Sequence, residues 1–179
     1  MTKYRASFID PTKIPEADLP LICLADDRRG LLGFFIKSHT SGNYNHVQEM
    51  HEVGQFATQD PVGYREVPLE RYLKPFMLLK FWKVKNLTEA QRKFWLEIIR
   101  LDLDAPWKDR RYDWIGIFGQ ILKIPWLNNP HLKYCSERVA DHLRKSKIKD
   151  LPEHPTPSAL NMIFNLNEIF EVYGYWIQD

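Results

Sequence analysis

Residues 45–68 read NHVQEMHEVGQFATQDPVGYREVP, and the fold turns on this stretch. It divides into three strand-like runs, His46 to Glu52, Gln55 to Gln59 and Tyr64 to Val67, separated by Gly54 and by Asp60-Pro61-Val62-Gly63. Short runs broken by glycine, proline and aspartate predict a meander of antiparallel strands. If Val53 and Gly54 form a two-residue turn, Gln48 faces Gln59 and His46 faces Pro61. His46, Gln48 and Gln59 then project from one side of the sheet, and Thr58 from the other. A three-residue loop reverses that parity and selects Thr58.

Upstream, Pro20 to Ala25 is continuous and apolar and reads as a buried strand, while residues 1–18 form an irregular lead-in with Pro11 and Pro15. Residues 30–37 (GLLGFFIK) suggest a turn or two of helix, and residues 39–45 (HTSGNYN) a loop. Downstream, Glu70 to Tyr72 reads as a turn and Phe76 to Val84 as an apolar strand. Thr88 with Gln91 three residues on is a capping box that opens a helix, with Leu87 as its hydrophobic staple. Phe94, Ile98 and Leu101, with Trp95 and Ile99 beside them, give that helix an apolar face, and Pro106 ends it. A second helix is expected around Trp114 to Leu122 and a loop over Asn128 to His131. Tyr134 to Lys147 reads as an amphipathic helix with Val139, Ala140 and Leu143 on its apolar face. Thr156-Pro157 supplies N-cap and first position of a further helix, and Ile169 to Ile177 a final aromatic strand. Without a repeat or linker, residues 1–179 form a single α+β domain: an antiparallel sheet packed against helices.

The 179 residues carry 25 Lys plus Arg against 23 Asp plus Glu, and 44% are hydrophobic. A chain of this size buries about 70% of its unfolded surface, enough to hold without a metal or disulfide. A net charge of +2 provides no concentrated basic face, so no nucleic-acid partner is expected. No apolar run approaches the roughly 18 residues of a membrane span, and no signal peptide is evident. The expectation is a soluble or cytoplasmic protein. Its two cysteines, Cys23 and Cys135, do not make a disulfide framework.

Cys135 is the most informative residue. It sits in the first turn of its helix, where unpaired backbone N–H groups and the helix dipole favour a thiolate and can hold an oxyanion. The plain alternative is a small buried hydrophobe. Of the six histidines, His46 has the best setting for a base, because a polar loop there enters a strand. His131, close to Cys135 in sequence, is the reserve. A catalytic imidazole needs an orienting polar group, and the two-residue turn selects Gln59, with Thr58 and Glu49 as alternatives in other registers. No close cysteine pair, HExxH spacing or phosphate-binding glycine loop occurs, so neither metal nor cofactor is expected. Trp107, Tyr112, Trp114 and Trp126 are expected in core packing or helix docking.

The order of these pieces resembles circularly permuted members of the NlpC/P60 papain-like superfamily. A Ser/Thr-rich loop leads to Asn45-His46-Val47, a hairpin returns through Phe56-Ala57-Thr58-Gln59, the "VPLE" strand end follows, and Tyr134-Cys135-Ser136-Glu137 opens a helix much later. The resemblance covers about residues 20 to 163 and includes Tyr112-Asp113 and Thr156-Pro157. It implies the permuted NlpC/P60 fold, with Cys135 as nucleophile, His46 as general base and then acid, and a polar residue on the next strand as orienter. Related proteins often carry glutamate at that third position, where this chain offers Thr58-Gln59-Asp60. The implied activity is cleavage of an amide in a peptide, protein conjugate or lipid, with acyl transfer and a silent binding role as rivals. A bacterial or phage setting goes with it.

Overall fold

The computed structural model describes residues 8–27, 43–116 and 132–177. Six strands form one antiparallel sheet: β1 (Leu21–Asp27), β2 (His46–Glu52), β3 (Gln55–Asp60), β4 (Gly63–Pro68), β5 (Met77–Val84) and β6 (Phe170–Ile177). Their order is β4-β3-β2-β1-β5-β6, so the expected meander forms one half and β1 lies at its inner edge. Among the described residues the α-helices that accompany them are α1 (Glu89–Asp104), α2 (Trp107–Arg110), α3 (Cys135–Lys145) and α4 (Pro157–Leu166). Residues 114–116 are also helical. The rest of the helix expected over Trp114 to Leu122, the helical turn at 30–37, the loop at Asn128 to His131, most of the 39–45 loop and Trp126 lie outside the described residues. No helix among the described residues is long and apolar enough to cross a membrane.

Strand alternation gives the sheet two apolar faces. Ile22, Leu24, Val47, Ala57 and Trp82 meet the helices, packing with Trp95 and Ile99 of α1, Val139 and Leu143 of α3, and Leu160 and Phe164 of α4. Leu21, Cys23, Met50, Phe56, Leu79 and Phe81 form a second core on the other face. The lead-in closes that core. It folds as two short 3-10 turns, Pro11–Lys13 and Glu16–Asp18, and lays Ile14 and Leu19 over the sheet. Apolar surface on both faces is why β1 reads as an unbroken hydrophobic run, and Leu21 to Ala25 are all at most 1% exposed.

Helix α1 begins as its capping box predicts. Thr88 Oγ1 accepts the Gln91 N–H at 3.2 Å, and Gln91 Oε1 accepts the Thr88 N–H at 3.2 Å. It ends before Ala105, which is extended ahead of Pro106. Its buried face is rotated from the expected one. Trp95, Ile98 and Ile99 are inside, whereas Phe94 is 46% and Leu101 62% exposed. The Trp95 indole N–H donates to Glu49 Oε1 at 2.6 Å, so a polar anchor helps set which face is turned in.

The β3–β4 turn depends on Gly63. Its φ is +129°, and a Cβ there would lie 2.8 Å from the Trp107 ring and 2.9 Å from the Arg110 carbonyl oxygen. Gly63→Ala is therefore expected to destabilise the fold by about 1–3 kcal/mol. A lower urea midpoint with an unchanged denaturant slope would show it; an unchanged midpoint would contradict it.

Candidate active site

Helix α3 starts at Cys135 because Tyr134 is extended (φ −103°, ψ 176°) and its N–H donates back to Glu137 Oε2 at 3.2 Å. Ser136 Oγ donates to the Pro155 carbonyl at 2.5 Å and ties the first turn to the segment before α4. The helix packs chiefly over β2. Cys135 thus enters the helix-side core beside Val47, the residue after His46. The backbone N–H groups of Val47 and Ser136 bear on its sulfur and favour the thiolate. Burial outweighs them. The side chain is 3% exposed and the thiol is pushed up to about 11.

His46 occupies the same end of β2 from the other side of the strand, on the face of the Met50 core. Its ring stacks on Tyr72, with centroids 6.5 Å apart and planes 8° from parallel. Nε2 lies 2.6 Å from Thr58 Oγ1. Nδ1 has no hydrogen-bond partner among the described residues. Burial pushes the imidazole down to about 4, against the opposing charge of Asp60. Thiol and imidazole thus lie at the same end of β2 but on opposite faces of the sheet, and they are not hydrogen-bonded to each other. Both are held in their neutral forms at pH 7, and the thiol is enclosed as the buried-hydrophobe alternative expected.

The side chain bonded to His46 is Thr58, where the two-residue turn selects Gln59. The turn is the two-residue one, with Glu52 opposite Gln55, but the register shifts between Met50 and Glu52, so that Met50 faces Phe56 and Glu49 faces Ala57. Continued toward His46, that shifted register places Thr58 on the imidazole's side. Gln59 projects to the helix side. Its Oε1 accepts from Arg138 Nε and Nη2 at 3.3 and 3.2 Å, and its Nε2 donates to the Arg110 carbonyl at 3.0 Å. Glu49 is also on the helix side, held by Trp95 and by His142 Nδ1 at 2.7 Å. Neither is hydrogen-bonded to His46.

Tyr112 and Asp113 come alongside through a parallel bridge between Tyr112 and Lys133, and Tyr112 packs on Tyr134 beside the thiol. The tryptophans depart from expectation: Trp107 is 53% and Trp114 41% exposed, while Tyr112 is buried. His131 lies outside the described residues. Sequence reasoning also missed a buried polar set on α3, where Arg138 and His142 are both inside; the signal was their three- and seven-residue spacing from Cys135.

Comparison with models of known protein families finds no match. Comparison with curated proteins finds none either.

Among the described residues, His51, Glu52 and Glu66 bring potential metal-ligand atoms within 4.8 Å of one another. They lie at the opposite end of β2 from His46, and His51 Nε2 is 3.1 Å from Glu66 Oε1. The two cysteines are free, buried and in different cores, so they form no disulfide.

Proposed function

We propose that this protein is a thiol acyl hydrolase, an amidase or peptidase of the circularly permuted NlpC/P60 type, with Cys135 as nucleophile and His46 as base. The observation that carries this reading is that Cys135 opens α3 with the Val47 and Ser136 N–H groups on its sulfur, while His46, the residue before Val47, is engaged at Nε2 by Thr58 and has no partner at Nδ1 among the described residues. A ring that donates from Nε2 to Thr58 carries its lone pair on Nδ1, the form a general base requires. The sequence order, with the histidine strand before the cysteine helix, supports the same reading.

In this mechanism the sulfur attacks the substrate carbonyl while its proton passes to His46 Nδ1. The carbonyl π pair moves onto oxygen, and backbone N–H groups in the first turn of α3 stabilise that charge. Collapse of the tetrahedral species expels the amine, which takes the proton from His46 and leaves a thioester. Water then gives a proton to His46, attacks the thioester and releases the acid and the free thiol. Because both partners rest neutral, proton transfer accompanies attack and no standing ion pair is needed.

The burial of Cys135 favours one rival reading, a binding protein that keeps the fold without turnover. A panel of acyl esters and peptides compared between wild type and Cys135→Ser separates the two. The enzyme reading expects turnover of at least one substrate, a trapped acyl thioester, and loss of both in the variant. Turnover unaffected by the substitution would overturn Cys135 as the nucleophile, and neither turnover nor thioester with any activated ester would establish the rival.

A further inference from the structure

On the helix side of the sheet lies a buried charged cluster that the proposed mechanism does not use. His142 is fully buried, with Nδ1 2.7 Å from Glu49 Oε2 and Nε2 3.0 Å from Asp102 Oδ2. Arg138 Nη1 donates to the same Asp102 oxygen at 2.5 Å, and its guanidinium lies 4.9 Å from the Tyr64 ring centroid. A neutral imidazole has one N–H, and ionised carboxylates only accept. With both carboxylates ionised, both ring nitrogens therefore find acceptors only if the ring is doubly protonated. In that state two carboxylates, Glu49 and Asp102, meet two cations, Arg138 and His142, and the cluster carries no net charge.

The cluster also joins the elements that carry the candidate site. Glu49 is three residues beyond His46 on β2, and Gln59, which accepts from Arg138, is next to Thr58 on β3. Arg138 and His142 are three and seven residues beyond Cys135, along one side of α3. We infer that His142 is a positioning residue that is charged at neutral pH, an imidazolium clamped by Glu49 and Asp102 that, with Arg138 on Gln59, fixes the Cys135 helix against the His46 and Thr58 strands. The positioning half rests on the proposed roles of Cys135 and His46; the charge half does not.

The groups facing His142 are Glu49 from β2, Tyr64 from β4 with ring centroids 5.9 Å apart, Trp95 and Asp102 from α1, and Arg138 from its own helix. Burial opposes the charge on His142, but Glu49 and Asp102 outweigh it and raise the ring above its ordinary value. Burial likewise opposes ionisation of Asp102, yet the His142 bond and the Arg138 charge hold its carboxyl well below the usual range. The sign follows from linkage. The clamp is complete below the ordinary histidine pKa of about 6.5 and is lost as pH rises through the higher folded value.

Nitrogen-15 spectra of the histidine rings in the full chain test the charge half directly. Both nitrogens of His142 are expected to be protonated at pH 7, and the near-isosteric Glu49→Gln is expected to lower the pH at which one proton leaves. A singly protonated His142 in the wild type at pH 7 would overturn the inference, whatever the fate of the proposed activity. The positioning half is read from the rate at which Cys135 reacts with a small disulfide reagent, measured with Cys23→Ala as background and with circular dichroism confirming the fold. In the wild type the rate, corrected for thiolate fraction, is expected to change about 10-fold across the His142 titration. In a Glu49→Gln/His142→Gln variant that step is expected to vanish. A step unchanged in the double variant, or a corrected rate that does not vary, would show that the cluster stabilises the fold without positioning Cys135.

Discussion

His46→Ala is expected to lower kcat/KM by about 10²- to 10⁴-fold on whichever acyl substrate the wild type turns over, the usual range for removing a general base. Thr58→Val is expected to cost about 10-fold, because it keeps the side-chain volume but removes the oxygen 2.6 Å from Nε2. Gln59→Glu is expected to act through Arg138 and helix α3, since Gln59 is bonded to that arginine and not to His46. The pH profile supplies a second check. A base must be neutral, and burial holds His46 down to about 4, so activity is expected to persist at pH 5 and fall only as pH drops through about 4. A His46→Ala enzyme with wild-type turnover, or an acidic limb centred near 6.5, would contradict the assignment.

Trp95→Ala is the substitution with the largest expected effect on stability. The indole is completely buried in the helix-side core and donates to Glu49 at 2.6 Å. Removing it deletes a large packed side chain and takes a hydrogen bond from a buried carboxylate. The expected loss is about 3–5 kcal/mol, or a fall of roughly 10–15 °C in Tm for a chain of this size. Trp95→Phe separates the two contributions. It retains most of the packing and removes only the donor, so a loss of about 1.5–3 kcal/mol measures the bond to a charged acceptor. Urea unfolding checks both variants, and a Phe variant as stable as wild type would mean that the Trp95–Glu49 bond contributes nothing.

The strands were legible because their signals are local. Gly54 and Asp60 to Gly63 punctuate the meander, and the unbroken run at β1 announces burial on both faces. Thr88 and Gln91 marked the start of α1 in the same way. What escaped depended on contacts between distant residues. The bulge beyond Met50 leaves no mark in the turn sequence, yet it exchanges Gln59 for Thr58 beside His46. The rotation of α1 follows from Trp95 finding Glu49, 46 positions away, and helical periodicity cannot contain that partner. Arg138 and His142 read as the polar side of an amphipathic helix, because a one-dimensional pattern does not distinguish a charge facing water from one facing an opposite charge inside the molecule.

Strand β1 serves both layers at once. Leu24 contributes to the layer that holds Cys135, and its neighbours Cys23 and Ala25 to the layer that packs beneath His46. Each half of the candidate site leans on the same seven-residue ribbon, so neither layer has a private backbone on which to melt. Fluctuations that open the thiol's side must therefore be small enough to leave the ribbon paired, or large enough to unfold the whole chain at once.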